Sequence, residues 1–489
     1  MSQTEKTSPT TSTVPAHHTT DKPGMLIAVA AFSCLVVTLL QSLVVPAVPR
    51  FPKLLGTSPL TVSWLVTATL LVGAAATPII GRLSDIVPRR PLMVVTMGLV
   101  FAGSVIAPLG GITTMIIGRA LQGLGTALVP VAMAQMRHSL PGDRIPGALA
   151  LLSATLGIGG GIGIPLGGVL LSGFGWKSMF VVAAILSGIS VLLIWKVMPN
   201  DRVTQRQTFD YVGALLLIVA LSSLLTVLSQ GGAWGWGSAM TLGLLAVGIV
   251  VTIAWGVYEL RIESPLVDLG TASDRPILLT NAASILMGIL MFTNLLLTTL
   301  ELQNPVVENG FGWSASAAGL AMLPSAAIML VVAPLSARLS AVMGPRLLLV
   351  LGAVITGLGY LMRVGIHIHP AWTILAATVL SMGIGIGYAA MPMMIVEYAP
   401  RAEIGSANAV NALMRAIGMA VSSALVSAVT AAMITTVNGV NTPSRTALLT
   451  LGIMGIAMAV VAAVLAWFAR HPRPSVAVAE SNTQPTRAE

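Results

Sequence analysis

Charge is what this sequence has least of. Lys, Arg, Asp and Glu make up 8% of 489 residues, about a third of the roughly 25% found in soluble domains. That is too few to cover a water-facing surface of this size, which excludes a soluble enzyme. Cys34 is the single cysteine, so no disulfide framework is possible. At 55% hydrophobic residues, the chain is too apolar for disorder anywhere but its ends. No Walker loop occurs, which argues against ATP as an energy source. No helix carries a His with an acid at helical spacing, so neither a bound metal nor a membrane-embedded hydrolase is expected. The net charge of +9 comes without a basic run longer than two residues, which argues against a nucleic-acid partner.

What the sequence has in abundance is long apolar runs. Hydropathy divides it into fourteen segments, from 25–46 to 447–469, each near the 20 residues that span a bilayer. The expected fold class is an all-α membrane protein. Joins fall at Pro88–Pro91, Pro141–Gly142, Pro199–Asn200, Gly231–Gly232, Gly344–Pro345 and Pro400. With an even count and the N-terminus inside, only Arg50, Lys53, Lys177, Arg363 and Arg445 fall on the outer side. Arg119 and Arg415 fall within helices, and every other Lys and Arg is cytoplasmic. This is the positive-inside asymmetry, and it accounts for the net charge. The tryptophans cluster at segment ends, as an aromatic belt requires.

The expected organisation is a polar cytoplasmic tail at 1–24, a six-helix bundle at 25–198, an inserted two-helix region at 199–276, a second six-helix bundle at 277–470 and a polar tail at 471–489. The apolar segment after the first tail is longer than a signal-peptide core and reads as a retained first helix. Proteins built from two such halves bind their substrate between them near mid-depth.

Four motifs stand in order along the first bundle. After the second segment comes Gly81-Arg82-Leu83-Ser84-Asp85-Ile86-Val87-Pro88-Arg89-Arg90, expected to be a tight turn that holds one carboxylate among guanidinium groups. Asp85 there has either a neighbouring Arg or a helix N-terminus for a partner. The fourth segment holds Arg119-Ala120-Leu121-Gln122-Gly123. The fifth holds Gly159-Gly160-Gly161-Ile162-Gly163-Ile164-Pro165-Leu166-Gly167-Gly168, followed by Trp176-Lys177-Ser178-Met179-Phe180. Together these resemble the signature motifs of the major facilitator superfamily, and within it the fourteen-helix drug:H+ antiporters. The sequence departs at Ile86 and Pro88 of the signature loop, and at Ile164 where that group has a proline.

The resemblance implies a major facilitator fold of six, two inserted and six helices. It also implies proton-coupled efflux of hydrophobic or amphipathic small molecules through the plasma membrane by alternating access. Gly81, Arg82, Asp85, Arg89 and Arg90 would form a conformational latch. Gly159, Gly163, Pro165, Gly167 and Gly168 would form an outer gate or, alternatively, a small-residue face that neighbouring helices approach closely, and Arg119 with Gln122 would couple proton to substrate. The alternative for Arg119 is a structural Arg bonded to carbonyls of adjacent helices. Arg415 would join Arg119 and Gln122 in coupling; with Asn408 and Asn411 on its helix it either lines the cavity wall of the second half or clamps two helices.

No Asp or Glu is expected at mid-helix. Where antiporters of cations carry a carboxylate in the first helix, Gln41 stands. Glu301 is the nearest acid, either proton-exchanging or, by the favoured reading, a solvated rim carboxylate. The mainly positive intramembrane charge points to neutral or anionic substrates. The expected partners are therefore a hydrophobic small molecule, protons and lipid. No cofactor is expected beyond the proton gradient, both termini are expected to be cytoplasmic, and the chain is expected to act as a monomer. A dedicated exporter of one endogenous antibiotic would carry the same motifs.

Overall fold

Each apolar run folds into a helix because lipid leaves backbone groups no other partner. In the computed structural model, the described residues are 22–470 without 49, 201–207, 263–264, 268, 305–309, 366–368, 401–403 and 438–439. The tails expected at 1–24 and 471–489 lie outside them, apart from residues 22–24.

The first bundle holds α1 (Pro23–Leu43), a short α2 (Phe51–Leu55), α3 (Pro59–Ile86), α4 (Arg89–Ile106), α5 (Ile112–Gly123), α6 (Leu128–Ser139), α7 (Ile145–Phe174) and α8 (Lys177–Val197). An inserted hairpin follows, made of α9 (Tyr211–Trp234) and α10 (Ala239–Glu259). The second bundle holds short α11 (Leu269–Ser273) and α13 (Ala315–Leu320), with α12 (Arg275–Gln303), α14 (Leu323–Gly365), α15 (Pro370–Tyr398), α16 (Ile404–Ala432) and α17 (Arg445–Phe468). A two-stranded antiparallel hairpin, Ile434–Val437 with Val440–Pro443, precedes α17. Helix starts are set by capping side chains. Ser58, Asp210, Ser238, Ser314 and Ser444 each accept from the backbone N–H three residues on.

Among the described residues, thirteen helical segments are long and apolar enough to cross a membrane, and Ala317–Val332 is a shorter apolar helix. The tenth expected segment, 315–337, is therefore not one regular helix. It begins as α13, turns at Ala321–Met322 and continues into α14. Within α14 the backbone breaks at Gly344, at φ 79° and ψ 159°, a region that favours glycine. That is the expected Gly344–Pro345 join. The signature loop also differs from expectation. Helix α3 runs on through Ile86, so Gly81 to Asp85 are helical and the turn is confined to Val87 and Pro88.

One apolar core fills the first bundle, between α1, α4, α6, α7 and α8, and a second fills the space between α12, α14, α15 and α17. The inserted hairpin joins them. Its α9 packs Ala214, Leu217 and Leu221 with Ala74 of α3 and with Val410 and Leu413 of α16. Gln230 of α9 donates to Thr67 Oγ1 at 3.0 Å. Helix α10 lies outside α9 and exposes Met240, Val250 and Ile253. The Met391–Met394 run is buried packing in α15.

Candidate functional site

Helix α7 packs against α1 on one face and against the second bundle on the other, and glycine makes both contacts possible. A Cβ on Gly159 would stand 2.0 Å from Thr38 Oγ1, one on Gly163 2.0 Å from Ser42 Oγ, and one on Gly167 2.0 Å from the Leu43 carbonyl oxygen. This stripe, spaced by four, seats α1 directly on α7. Thr38 Oγ1 then donates to the Thr155 carbonyl at 2.8 Å, and Ser42 Oγ to the Gly159 carbonyl at 3.0 Å. Such close approach with hydroxyl-to-carbonyl bonds is how helices associate where lipid provides no hydrophobic drive. Pro165 lies inside α7 without ending it. Gly168 is half-buried, and its carbonyl accepts from Ser172.

The opposite face of α7 meets the second bundle. A Cβ on Gly161 would lie 2.5 Å from Ala326 Cβ, and one on Gly157 1.7 Å from Met329 Sδ. At one end of this interface, Asp85 Oδ2 accepts from the backbone N–H of Ser406 at 3.1 Å, and Arg137 donates to the Val396 carbonyl at 3.4 Å. Asp85 thus caps the first turn of α16 across the bundle interface, where a helix N-terminus favours negative charge. Arg82 is buried, and Arg90 donates to the Trp195 carbonyl. The signature residues therefore serve two separate contacts, α3 with α16 through Asp85 and α4 with α8 through Arg90.

Between the bundles lies a cavity of about 50 Å³. Its lining includes Gly157 and Gly161 of α7, Asn294 of α12, Ser325 and Met329 of α14, and Ser381 of α15. Pockets for drug-sized ligands measure roughly 300–1,000 Å³, well above the volume of this cavity.

A buried ion pair stands beside the cavity. Glu301 is 3% exposed and Arg363 4%. Arg363 Nε donates to Glu301 Oε2 at 3.1 Å, its Nη1 to Asn294 Oδ1 at 3.1 Å, and its Nη2 to Thr298 Oγ1. Asn294 Nδ2 reaches Ser381 Oγ at 3.4 Å, so the pair is bonded to the cavity lining through one side chain. This overturns two expectations. Glu301 is not a solvated rim carboxylate, and Arg363 does not belong to the outer aqueous side. Arg363 looks interfacial in sequence because it lies two residues from the end of α14. Its long side chain instead reaches inward to the acid. Asn294, Thr298 and Glu301 are spaced four and three apart, one face of a helix. That polar stripe is the sequence signal that leads to Arg363.

The first bundle has a different polar centre. Arg119 is 2% exposed. Its Nε donates to the Leu65 carbonyl at 3.2 Å, and its Nη1 to the Leu40 carbonyl at 3.0 Å and to Gln122 Oε1 at 2.9 Å. Its Nη2 reaches the Gln41 carbonyl at 3.5 Å. Gln122 in turn donates to Ser104 Oγ at 2.9 Å. The guanidinium is thus held by the backbones of α1 and α3. Gln41 contributes its carbonyl to this cluster, and its side chain is half-buried.

Arg415, on α16, is 5% exposed. It donates to Asn411 Oδ1, and its guanidinium carbon lies 5.4 Å from the centroid of the Tyr388 ring. Asn411 donates to Asn281 Oδ1 and Ser284 Oγ on α12.

Sequence reasoning passed over a second acidic site in the inserted hairpin. Asp210 Oδ1 caps α9 through the Gly213 N–H at 2.8 Å and accepts from Tyr258 Oη at 3.1 Å. A Cβ on Gly213 would lie 2.0 Å from Asp210 Oδ2 and 2.8 Å from Glu259 Oε1. The two buried carboxylates therefore face each other across that glycine. Both sit at helix ends, where single acids in a hydropathy profile read as solvated.

Residues 30–423 and 277–488 match the family model described as Major Facilitator Superfamily. The tetracenomycin C resistance and export protein of Streptomyces glaucescens is 28% identical over 346 residues, covering 70% of this chain and 63% of that protein. The multidrug transporter protein MdtP of Bacillus subtilis is 26% identical over 362 residues, covering 73% and 66%. The chain thus spans just under two thirds of the length of these relatives. The MFS-type transporter EfpA of Mycobacterium tuberculosis is 27% identical over 406 residues, covering 81% and 74%. Among solved structures, the human organic anion transporter MFSD10 (TETRAN) superposes with a TM-score of 0.65 at 13% identity, over 92% of this chain and all of that one. At that identity the likeness speaks for the fold alone.

Proposed function

The chain belongs to the major facilitator superfamily, and we propose that it exports hydrophobic or amphipathic small molecules, drugs and antibiotics among them, in exchange for protons. The observation that carries this reading is the Glu301–Arg363 pair, buried and bonded through Asn294 to the cavity between the bundles. A carboxylate inside a membrane protein is expensive to keep and marks proton and substrate pathways. A proton on Glu301 cancels its charge and loosens its hold on Arg363. The guanidinium then redistributes its bonds among Asn294 and Thr298, which changes the wall that the substrate touches.

Alternating access follows from the contacts at the two ends. The cytoplasmic end is latched by Asp85 on α16 and by Arg137 on the Val396 carbonyl. The outer end closes where α7 meets α13 and α14, with Pro165 against Gly319. These contacts are discrete and few, so one set can part while the other holds. Arg119 with Gln122 keeps α1, α3, α4 and α5 together as the first bundle rocks.

The protein acts as a transporter rather than an enzyme. It takes no cofactor beyond the proton gradient, acts as a monomer in the plasma membrane, and has both termini in the cytoplasm. A dedicated role in exporting one endogenous antibiotic is the second reading, favoured by the likeness to the tetracenomycin C resistance and export protein. The test is uptake of a panel of antibiotics and dyes into inside-out vesicles, with and without an imposed pH gradient. Gradient-driven uptake that Glu301→Gln abolishes is expected. Uptake indifferent to the gradient would refute proton exchange. Uptake of a single compound alone would favour the dedicated exporter.

A further inference from the structure

Arg119, Arg363 and Arg415 are all buried cations in the membrane region, and their surroundings differ. Arg119 spends its donors on carbonyls and Gln122, and Arg363 spends its own on Glu301, Asn294 and Thr298. Arg415 donates to Asn411 and otherwise stacks on the face of Tyr388. Among the described residues no carboxylate pairs with it. The Tyr388 hydroxyl beside it is buried and has no hydrogen-bond partner. A guanidinium carries five donors in a fork that fits a carboxylate. Here most of that fork, together with a phenolic O–H, stands idle in a region where idle polar groups are costly.

The position of this group relative to the cavity gives it a use. Ser381 and Ile384 of α15 line the cavity, and Tyr388 follows them at spacings of three and four, on the same helical face. It lies about one turn, roughly 6 Å, beyond Ile384 along α15. On α12, Met291 lines the cavity, and one turn before it Gly288 would touch the Arg415 carbonyl with a Cβ at 2.4 Å. Arg415 and Tyr388 therefore lie about one turn beyond the cavity lining, on the side away from Glu301 and Arg363. On the outer flank, Glu301 and Arg363 neutralise each other. The groups flanking the cavity therefore include one cation without a carboxylate partner among the described residues, next to an apolar space lined by Met291, Met322 and Met329.

We propose that Arg415 and Tyr388 form a carboxylate-binding subsite, so that the preferred cargo is an amphipathic monoanion. Its carboxylate is held by the Arg415 fork and the Tyr388 O–H, and its apolar body lies against the methionines. Methionine is suited to apolar bodies of differing shape. The proposal rests on the export reading, because it names the class of molecule exported. The geometry assigns each group a part. Arg415 supplies the charge, Tyr388 a single directed hydrogen bond, and Asn411 positions the guanidinium.

The test uses three probes that share one body: pyrenebutyrate, its methyl ester, and a pyrenebutyl trimethylammonium salt. Binding is measured on the purified full-length protein by fluorescence titration, and transport is measured in inside-out vesicles. The carboxylate is expected to bind at least tenfold more tightly than the ester or the cation. Arg415→Gln is expected to remove that preference while leaving ester binding unchanged, which also reports that the variant is folded. Tyr388→Phe, which deletes one oxygen, is expected to weaken the carboxylate three- to tenfold and the ester not at all. Equal binding of the three probes, or a preference that survives Arg415→Gln, would overturn the subsite and leave export standing. Preferential binding of the carboxylate without transport of any probe would overturn export and leave the subsite standing. No binding of any probe would overturn the subsite.

Discussion

Removing Arg363 tests the buried pair from its more informative side. Arg363→Met keeps the apolar stem of the side chain and deletes the charge, so Glu301 is left 3% exposed without its cation. Breaking a buried pair in this way costs about 3–5 kcal/mol. The carboxylate has one escape, which is to take up a proton. That escape costs less as the pH falls. The sign follows from linkage. The folded variant binds a proton that the unfolded chain does not, so its stability falls as pH rises. Glu301→Gln is the asymmetric counterpart. It leaves Arg363 charged and unpaired, and a guanidinium cannot shed its proton. Its loss is expected to be similar in size and independent of pH between 5 and 8. The double variant, Glu301→Met with Arg363→Met, buries no charge and is expected to recover most of the stability. Unfolding of the detergent-solubilised protein at pH 5, 6, 7 and 8 measures all three. An Arg363→Met loss that is the same at every pH, or a double variant no better than either single one, would refute the reasoning.

Three further outcomes are expected. Gly167→Ala drives a Cβ to 2.0 Å from the Leu43 carbonyl, and such overpacking costs about 1–3 kcal/mol. Gly160→Ala, with open space around it, should leave the melting temperature unchanged. Asp85→Asn keeps the hydrogen bond to Ser406 and removes the charge at the N-terminus of α16, an effect worth about 0.3–1 kcal/mol. It should raise the labelling rate of a cysteine placed beside Asp85 at the α3–α16 interface up to about fivefold, and an unchanged rate would argue against a latch. In the inserted hairpin, Asp210→Ala removes the cap of α9 at a cost of about 1 kcal/mol. Glu259→Gln removes like-charge repulsion and should leave stability equal or higher. A larger loss from Glu259→Gln than from Asp210→Ala would contradict the facing-carboxylate geometry.

Much of this structure is legible in the sequence because lipid imposes it. The apolar runs and the Gly344–Pro345 break each follow from one-dimensional rules. The stripe of Gly159, Gly163 and Gly167 is legible as a close-packing face, and the partner of Asp85 is one of the two that the sequence leaves open. What the sequence does not reveal is where long side chains end. Arg363 lies near a helix end and reads as interfacial, but its guanidinium returns to Glu301 across the bundle. Arg119 is visible as an intramembrane cation, whereas its satisfaction by the carbonyls of Leu40 and Leu65 depends on how α1 and α3 pack. Asp210 and Glu259, 49 positions apart, meet only because α9 and α10 form a hairpin.

The most direct measurement is proton movement driven by substrate alone. The protein is reconstituted in liposomes that hold a pH-sensitive dye. A gradient of a transported compound is imposed with no initial pH difference, and substrate and proton are followed together. In the wild type, substrate leaving one compartment is expected to bring protons into it. Glu301→Gln is expected to exchange substrate across the membrane while moving no protons. Proton movement that persists in Glu301→Gln, or wild-type substrate flux with no proton counter-movement, would contradict a coupling site at the Glu301–Arg363 pair.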